Sequence, residues 1–109
     1  MIAVVRNGVC EIHNHLGHRL VTLPPVNIDE AVLQGKYVAV VLRNGYCQLY
    51  LTSGERVCTY TLNDVKFVKF HSKNQLALYR RNGLCTTFIY VKILNISFVF
   101  QRKYRNFFT

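Results

Sequence analysis

A chain of 109 residues is long enough for one ordinary domain and too short for two. Half of its residues are hydrophobic and 13% are aromatic, which argues against disorder, and the many Val, Leu, Phe and Tyr residues favour strands over helices. No apolar run approaches the length of a membrane-spanning helix, and the first residues lack the pattern of a signal peptide. We therefore expect a cytoplasmic protein whose four cysteines are reduced.

The positive charge of the chain is concentrated in its C-terminal part. Fourteen Lys and Arg residues outnumber five Asp and Glu residues, which gives a net charge of +9. Asp64 is the last acidic residue, and residues 65–109 hold nine basic residues. This asymmetry indicates that any surface for a polyanion or an acidic partner lies in the C-terminal part.

A short motif recurs along the chain and predicts internal repetition. Arg-Asn-Gly occurs at 6–8, 43–45 and 81–83, with offsets of 37 (43 − 6) and 38 (81 − 43) residues. A cysteine follows two residues after each glycine, at Cys10, Cys47 and Cys85. Similar residues flank the three copies at Ala3, Ala39 and Ala77 before the motif and at His13, Tyr50 and Phe88 after it. We predict a single domain over 1–109 with three units at about 1–26, 27–64 and 65–109.

Each unit is predicted to be a set of antiparallel strands. Asn-Gly between apolar residues predicts a two-residue type I′ hairpin turn, in which both central residues have positive φ. Glycines near 17 and 54 indicate a second turn, and Pro24-Pro25 interrupts the strands before the second unit. The predicted strands, in chain order, cover about 2–6, 9–14, 18–23, 28–33, 37–43, 46–51, 56–62, 65–71, 75–81, 84–91 and 94–101.

This succession of apolar strand, hairpin, strand, glycine turn and strand resembles a blade of a β-propeller. The resemblance is one of architecture, because the chain has no Trp and lacks both the Gly-His and Trp-Asp signatures and the kelch double glycine. It implies an all-β fold of about three antiparallel, propeller-blade-like units of 37–38 residues. Propellers have about four to eight blades, so a ring would take six units from a homodimer. The first unit starts at its second strand, and residues 101–108 are predicted to supply the missing leading strand, in the same or the partner chain.

The histidines and cysteines are weighed as ligands and as packing residues. His13, His15 and His18 form an H-x-H-x-x-H pattern that suits a divalent metal ion. His13 also occupies the repeat position of Tyr50 and Phe88, which favours a packing role. The repeated cysteines are expected to be small buried side chains, because three copies of one position argue against a unique nucleophile. We expect no bound metal and no cofactor.

Nine basic residues are candidates for binding a polyanion or a protein partner. Those beside the turns would form a basic circle in a ring, and those near aromatic residues suit single-stranded nucleic acid. The competing interpretations are solvated strand and turn residues and a self-association surface. The candidates are Arg6, Arg43, Arg81, Lys66, Lys69, Lys73, Arg102, Lys103 and Arg105.

No catalytic motif occurs, and the five carboxylates do not recur at one repeat position. We therefore predict a non-enzymatic protein-interaction or assembly module that acts as a homo-oligomer with no membrane partner. The alternative is a nucleic-acid-binding protein that uses the basic C-terminal half. The small size and the lack of a familiar family also suggest a viral or phage origin.

Overall fold

The computed structural model of the chain describes residues 1–72, 74–91 and 96–103. The described residues form strands and turns and no helix. The strands are β1 (Ile2–Arg6), β2 (Val9–His13), β3 (Arg19–Thr22), β4 (Ile28–Gln34), β5 (Tyr37–Leu42), β6 (Cys47–Leu51), β7 (Arg56–Thr59), β8 (Val65–Ser72), β9 (Gln75–Arg80), β10 (Leu84–Val91) and β11 (Ile96–Lys103). The predicted all-β class is confirmed.

The strands form three separate antiparallel sheets. Sheet A has the order β1-β2-β3, sheet B the order β4-β5-β6-β7, and sheet C the order β11-β10-β9-β8. Each sheet falls within one of the three predicted units. Over the described ranges the sheets close into neither a barrel nor a propeller.

The hairpin turns at the Arg-Asn-Gly motifs are of two kinds. Asn7 and Gly8 have φ of 52° and 78° between paired Arg6 and Val9, so this turn is the predicted type I′. The same prediction is wrong for the turns at Gly45 and Gly83, where only the glycine has positive φ.

The turn at Gly45 is a three-residue loop. The amide of Gly45 donates to the carbonyl of Leu42 at 2.9 Å, and the amide of Leu42 donates to the carbonyl of Tyr46 at 2.8 Å. The side-chain oxygen of Asn44 accepts the amide of Tyr46 at 3.2 Å, a local bond that the two-residue turn does not need. These contacts are typical of a tight turn that ends in a left-handed glycine.

The registers place the three repeated cysteines at corresponding positions of their sheets. Cys10 is opposite Val5, Cys47 is opposite Val41, and Cys85 is opposite Tyr79. Three residues after each cysteine, His13, Tyr50 and Phe88 are opposite Ile2, Val38 and Leu76. Because facing residues on paired strands share one side of a sheet, these pairs define corresponding faces.

Sheet B lies between the other two sheets. One buried cluster joins sheets A and B and consists of Cys10, Ile12, Leu23, Ile28, Val38, Val40 and Tyr50. The other joins sheets B and C and consists of Ala39, Val41, Cys47, Leu49, Tyr60, Val65, Val68, Leu76, Leu78 and Phe88. Strand β5 contributes to both clusters, and Val38, Ala39, Val40 and Val41 are all buried. A strand buried on both faces needs a continuous apolar run, as β5 has.

Backbone contacts at the turns connect successive sheets. The carbonyl of Gly8 accepts the amide of Ile28 at 2.8 Å, and the carbonyl of Gly45 accepts the amide of Val65 at 3.0 Å. In both cases the turn of one sheet holds the first residue of the next sheet's leading strand. The contact leaves little room at the glycines, since an added Cβ on Gly8 would lie 3.0 Å from the amide nitrogen of Asn27.

The predicted placement of the last strand is wrong for its first residues. Gln101 and Arg102 belong to β11 and pair with Thr86 and Cys85 of β10, so they complete sheet C and do not extend sheet A. Residues 104–108 of the predicted strand lie outside the described residues. Among the described strands none pairs with the outer edge of β1. No helix in the described ranges is long and apolar enough to cross a membrane.

Candidate functional site

Aromatic and basic side chains lie together on the face of sheet C that points away from sheet B. We call this surface the aromatic face and define it by Phe67, Lys69, His71 and Tyr79. The rings of Phe67 and Tyr79 stack with centroids 4.6 Å apart and planes at 13°. The ammonium of Lys69 lies 6.0 Å from the centre of the Phe67 ring, at the outer limit of a cation–π contact.

A β-bulge creates this arrangement. Val65 pairs with Arg80 and Phe67 pairs with Tyr79, so Lys66 is an extra residue on β8. The bulge keeps Val65 and Val68 in the core and turns Phe67 to the outer face. Lys66 is exposed beside it. Without the bulge, alternation along the strand would direct Phe67 towards sheet B.

His71 completes one end of the aromatic face. Its Nε2 lies 3.3 Å from the hydroxyl of Tyr79, and the two rings are 6.4 Å apart. His71 is exposed, whereas Phe67 and Tyr79 are half-buried. The face therefore offers one aromatic stack with cations at its side, which suits a planar ring or a flat apolar partner.

The structure separates the predicted basic residues of sheet C. Lys66 and Lys69 lie on β8 at one edge of the sheet. The backbones of Arg102 and Lys103 belong to β11 at the opposite edge. Lys73 and Arg105 lie outside the described residues. Among the described candidates of sheet C, Lys69 therefore belongs to the aromatic face and Lys66 lies beside it.

The three arginines of the repeated motif do not occupy one position. Arg6 is the last residue of β1, whereas Arg43 and Arg81 lie inside their turns. All three are exposed. The amides of Arg43 and Arg81 donate to the carbonyls of Asn27 and Asp64 at 2.7 and 2.9 Å. The guanidinium of Arg43 lies 3.7 Å from Asp29, and both groups are mostly solvated, so this ion pair adds little stability.

The carboxylate of Asp64 neutralises the positive charge of Arg80 at the junction of sheets B and C. Its Oδ1 accepts a hydrogen bond of 2.9 Å from Nε of Arg80, and both side chains are largely covered. Because the carbonyl of Asp64 also accepts the amide of Arg81, one residue ties both arginines to the junction. Arg80 is therefore engaged in the fold.

One histidine of the H-x-H-x-x-H pattern, His13, forms an ion pair on sheet A. His13 Nε2 lies 3.0 Å from Glu11 Oε1, and Arg19 lies 3.8 Å from the other carboxylate oxygen. The hydrogen bond from His13, with the charges of His13, Arg19 and Arg6, lowers the pKa of Glu11. His15 and His18 are exposed in the following turn. Within the described ranges no group of three or more His, Cys, Asp or Glu side chains is placed to hold a metal ion.

The repeated cysteines are buried, as predicted. Cys10, Cys47 and Cys85 are fully buried, and Cys58 is half-buried on β7. Burial raises the pKa of the Cys47 thiol far above its ordinary value, and it also raises the pKa of Cys10 and Cys58. A buried thiol with a raised pKa is a poor nucleophile, so Cys10 and Cys47 act as small core residues.

No protein-family model matches the chain, and the search of curated proteins finds no relative.

The sequence predicts the basic residues of the aromatic face but not its aromatic stack. The sequence marks Lys66 and Lys69 as candidates, but Tyr79 falls within the predicted strand at about 75–81 and no motif marks it as a stacking partner. The pairing of Phe67 with Tyr79 depends on the bulge at Lys66, which no local pattern marks.

Proposed function

We propose that this protein is a non-enzymatic protein-interaction or assembly module that acts as a homo-oligomer, in which two copies complete a ring of six blade-like units. One observation carries the proposal: among the described residues, sheet B contributes both of its faces to the two buried clusters, whereas sheets A and C each contribute one face. In the described part of the chain, the outer face of sheet A carries the exposed Ile2, and the outer face of sheet C carries the half-buried Phe67 and Tyr79. Such faces favour association with a further sheet.

Self-association through a two-fold axis is the simplest way to cover both ends. Closed symmetric dimers are the commonest oligomers, and two chains supply the six units that a propeller-like ring accommodates. The module would act in the cytoplasm and present its turns, with Arg43 and Arg81, on the rim. A pocket of about 340 Å³ beside Arg43, lined by Val26, Asn27, Leu42 and Asn44, is one place where a partner's side chain fits.

The test is the molar mass in solution. Light scattering on the eluting peak is expected to give twice the chain mass of 12.7 kDa. A monomer at every concentration tested would contradict the assembly function.

The second candidate function is binding of single-stranded nucleic acid, favoured by the stacked Phe67 and Tyr79 beside Lys66 and Lys69. A base stacked on an aromatic side chain contributes about 1–3 kcal/mol, and phosphates pair with nearby cations. The experiment is fluorescence anisotropy with a labelled oligonucleotide at several salt concentrations. Affinity that falls steeply with salt would favour this function.

A double charge-reversal variant tests whether the aromatic face is the binding site. Lys66→Glu with Lys69→Glu is expected to abolish oligonucleotide binding if the aromatic face is the site. The matched control, Lys36→Glu with Arg56→Glu, changes the charge equally on exposed residues of sheet B. Equal loss in both variants would indicate a diffuse electrostatic effect, and no binding by the unmodified protein would remove this function.

A further inference from the structure

The three sheets stack in the same orientation, so that each junction joins the same two kinds of sheet face. The face that carries Cys10 on sheet A packs against the face of sheet B that carries Val38 and Val40. The opposite face of sheet B, which carries Cys47, packs against the face of sheet C that carries Leu76 and Leu78. In both junctions a cysteine face meets a face without the cysteine. We call these two surfaces the cysteine face and the receiving face.

No buried cluster of the described residues includes the receiving face of sheet A, which also carries the ion pair of Glu11 with His13. Ile2, Val38 and Leu76 correspond by register, since each is opposite the residue three positions after its cysteine. Ile2 is 56% exposed, whereas Val38 and Leu76 are fully buried. The neighbouring Val4 is half-buried. The position that is buried in sheets B and C is therefore exposed in sheet A.

The cysteine face of sheet C is the matching surface at the other end. It carries Cys85 and Ala77, which are already fully buried, and the aromatic face, whose Phe67 and Tyr79 are half-buried. Its Thr87 corresponds to the buried Leu49 of sheet B and the buried Ile12 of sheet A, because each is two residues after its cysteine. Lys69 is opposite Ala77. The face is thus more polar than its two counterparts, as suits a contact between separate chains.

We propose that the cysteine face of sheet C in one copy packs on the receiving face of sheet A in a second copy, which repeats the contact between successive sheets within the chain. This inference rests on the proposed assembly function and specifies its interface. Two such contacts, related by a two-fold axis, close the ring without a new kind of packing. The occupant of each open face is the other end of a second copy of this chain.

The test uses one charge-introducing variant on each face. Ile2→Lys alters the receiving face at an exposed side chain, so the fold should be retained. Thr87→Lys alters the cysteine face. Each variant alone is expected to sediment as a monomer, because both contacts of its dimer contain one damaged face. Leu16→Lys is the matched control, since Leu16 is 67% exposed in a turn and should leave the dimer unchanged.

Mixing the two variants distinguishes a head-to-tail contact from a symmetric one. In an equimolar mixture, the intact sheet C face of the Ile2→Lys chain meets the intact sheet A face of the Thr87→Lys chain. A dimer held by that one contact is expected to reappear in sedimentation velocity. Cooperative unfolding by circular dichroism checks that each variant is folded, and Val4→Lys and Tyr79→Lys replace any variant that is not.

The outcomes separate this inference from the function on which it rests. If the unmodified protein is a monomer, the assembly function itself fails. If it is a dimer that either variant leaves intact, or if the mixture stays monomeric, the assembly stands and the head-to-tail contact is wrong. A monomer whose Thr87→Lys variant binds an oligonucleotide more tightly would overturn the inference in favour of nucleic-acid binding.

Discussion

Gly45 and Asn63 are in direct backbone contact across the junction of sheets B and C. A Cβ built on Gly45 would collide with the carbonyl oxygen of Asn63 and would lie 2.8 Å from its carbonyl carbon. Gly45 also has φ of +91°, a region that favours glycine. The turn of sheet B is therefore fitted to the segment that begins sheet C.

This contact predicts different costs for one substitution at two similar turns. Gly45→Ala should lower the free energy of unfolding by about 2–5 kcal/mol, the sum of left-handed strain and overpacking. Gly83 is the matched control, because it has φ of +86° and an added Cβ meets nothing within 4 Å. Gly83→Ala should cost only about 1–2 kcal/mol. Urea denaturation measures both, and equal costs would contradict the close junction.

Thr86 offers a way to stabilise the protein. Its hydroxyl is buried between sheets B and C, and no hydrogen-bond partner is found for it among the described residues. A buried unpaired polar group costs about 1–3 kcal/mol, so the nearly isosteric Thr86→Val should raise the unfolding free energy by up to about 1 kcal/mol. Thr61→Val, at an exposed position outside the strands, should change it little. A loss of stability in Thr86→Val would show that the hydroxyl is bonded after all.

Glu11 should make stability depend on pH at the acidic end. Its folded pKa is lowered from the ordinary value of 4.5, chiefly by the hydrogen bond with His13. A lowered folded pKa means that the carboxylate stabilises the fold above 4.5 and that this stabilisation is lost as the pH falls through the folded value.

Melting temperatures of the unmodified protein and Glu11→Gln check this expectation. The variant should melt lower at neutral pH, and the two curves should converge well below the ordinary carboxyl pKa. Glu55→Gln serves as the control, because Glu55 is exposed and has no ion pair among the described residues. A gap that persists in acid would mean that Glu11 acts through packing alone.

The thiols should react in an order set by burial. Cys58 is half-buried, whereas Cys10, Cys47 and Cys85 are fully buried. Iodoacetamide should therefore modify Cys58 first in the native protein and the other three only after denaturation. Mass spectrometry of the labelled peptides gives the order. Labelling of Cys47 as fast as Cys58 would show that sheets B and C separate readily.

Local patterns predicted most of the strands because alternation and Asn-Gly turns are encoded within a few residues. The repeated cysteines also identified a core position, since Cys10, Cys47 and Cys85 are all buried. The turn at Asn44 was predicted incorrectly because a two-residue and a three-residue loop share the Asn-Gly signal. Choosing between them requires the strand pairing, in which Arg6 ends a strand while Arg43 enters the loop.

The candidate site was less predictable than the fold. The charge of Lys66 and Lys69 is visible in the sequence, but the stack of Phe67 on Tyr79 requires the bulge and its register. The ion pair of His13 with Glu11, in contrast, joins residues two positions apart on one face of β2 and needs no distant pairing. Pairings between distant segments depend on tertiary contacts that a single sequence does not record.

The apolar run of β5 has a consequence for the unfolded chain. Tyr37–Leu42 contains six residues with no charge, no Gly and no Pro, and in the native protein its interior is sealed between two sheets. Short segments of this composition pair readily with copies of themselves once exposed. Heating or denaturant that unfolds sheet B therefore exposes an aggregation-prone strand. The fraction of protein that refolds on cooling should decline as the protein concentration rises.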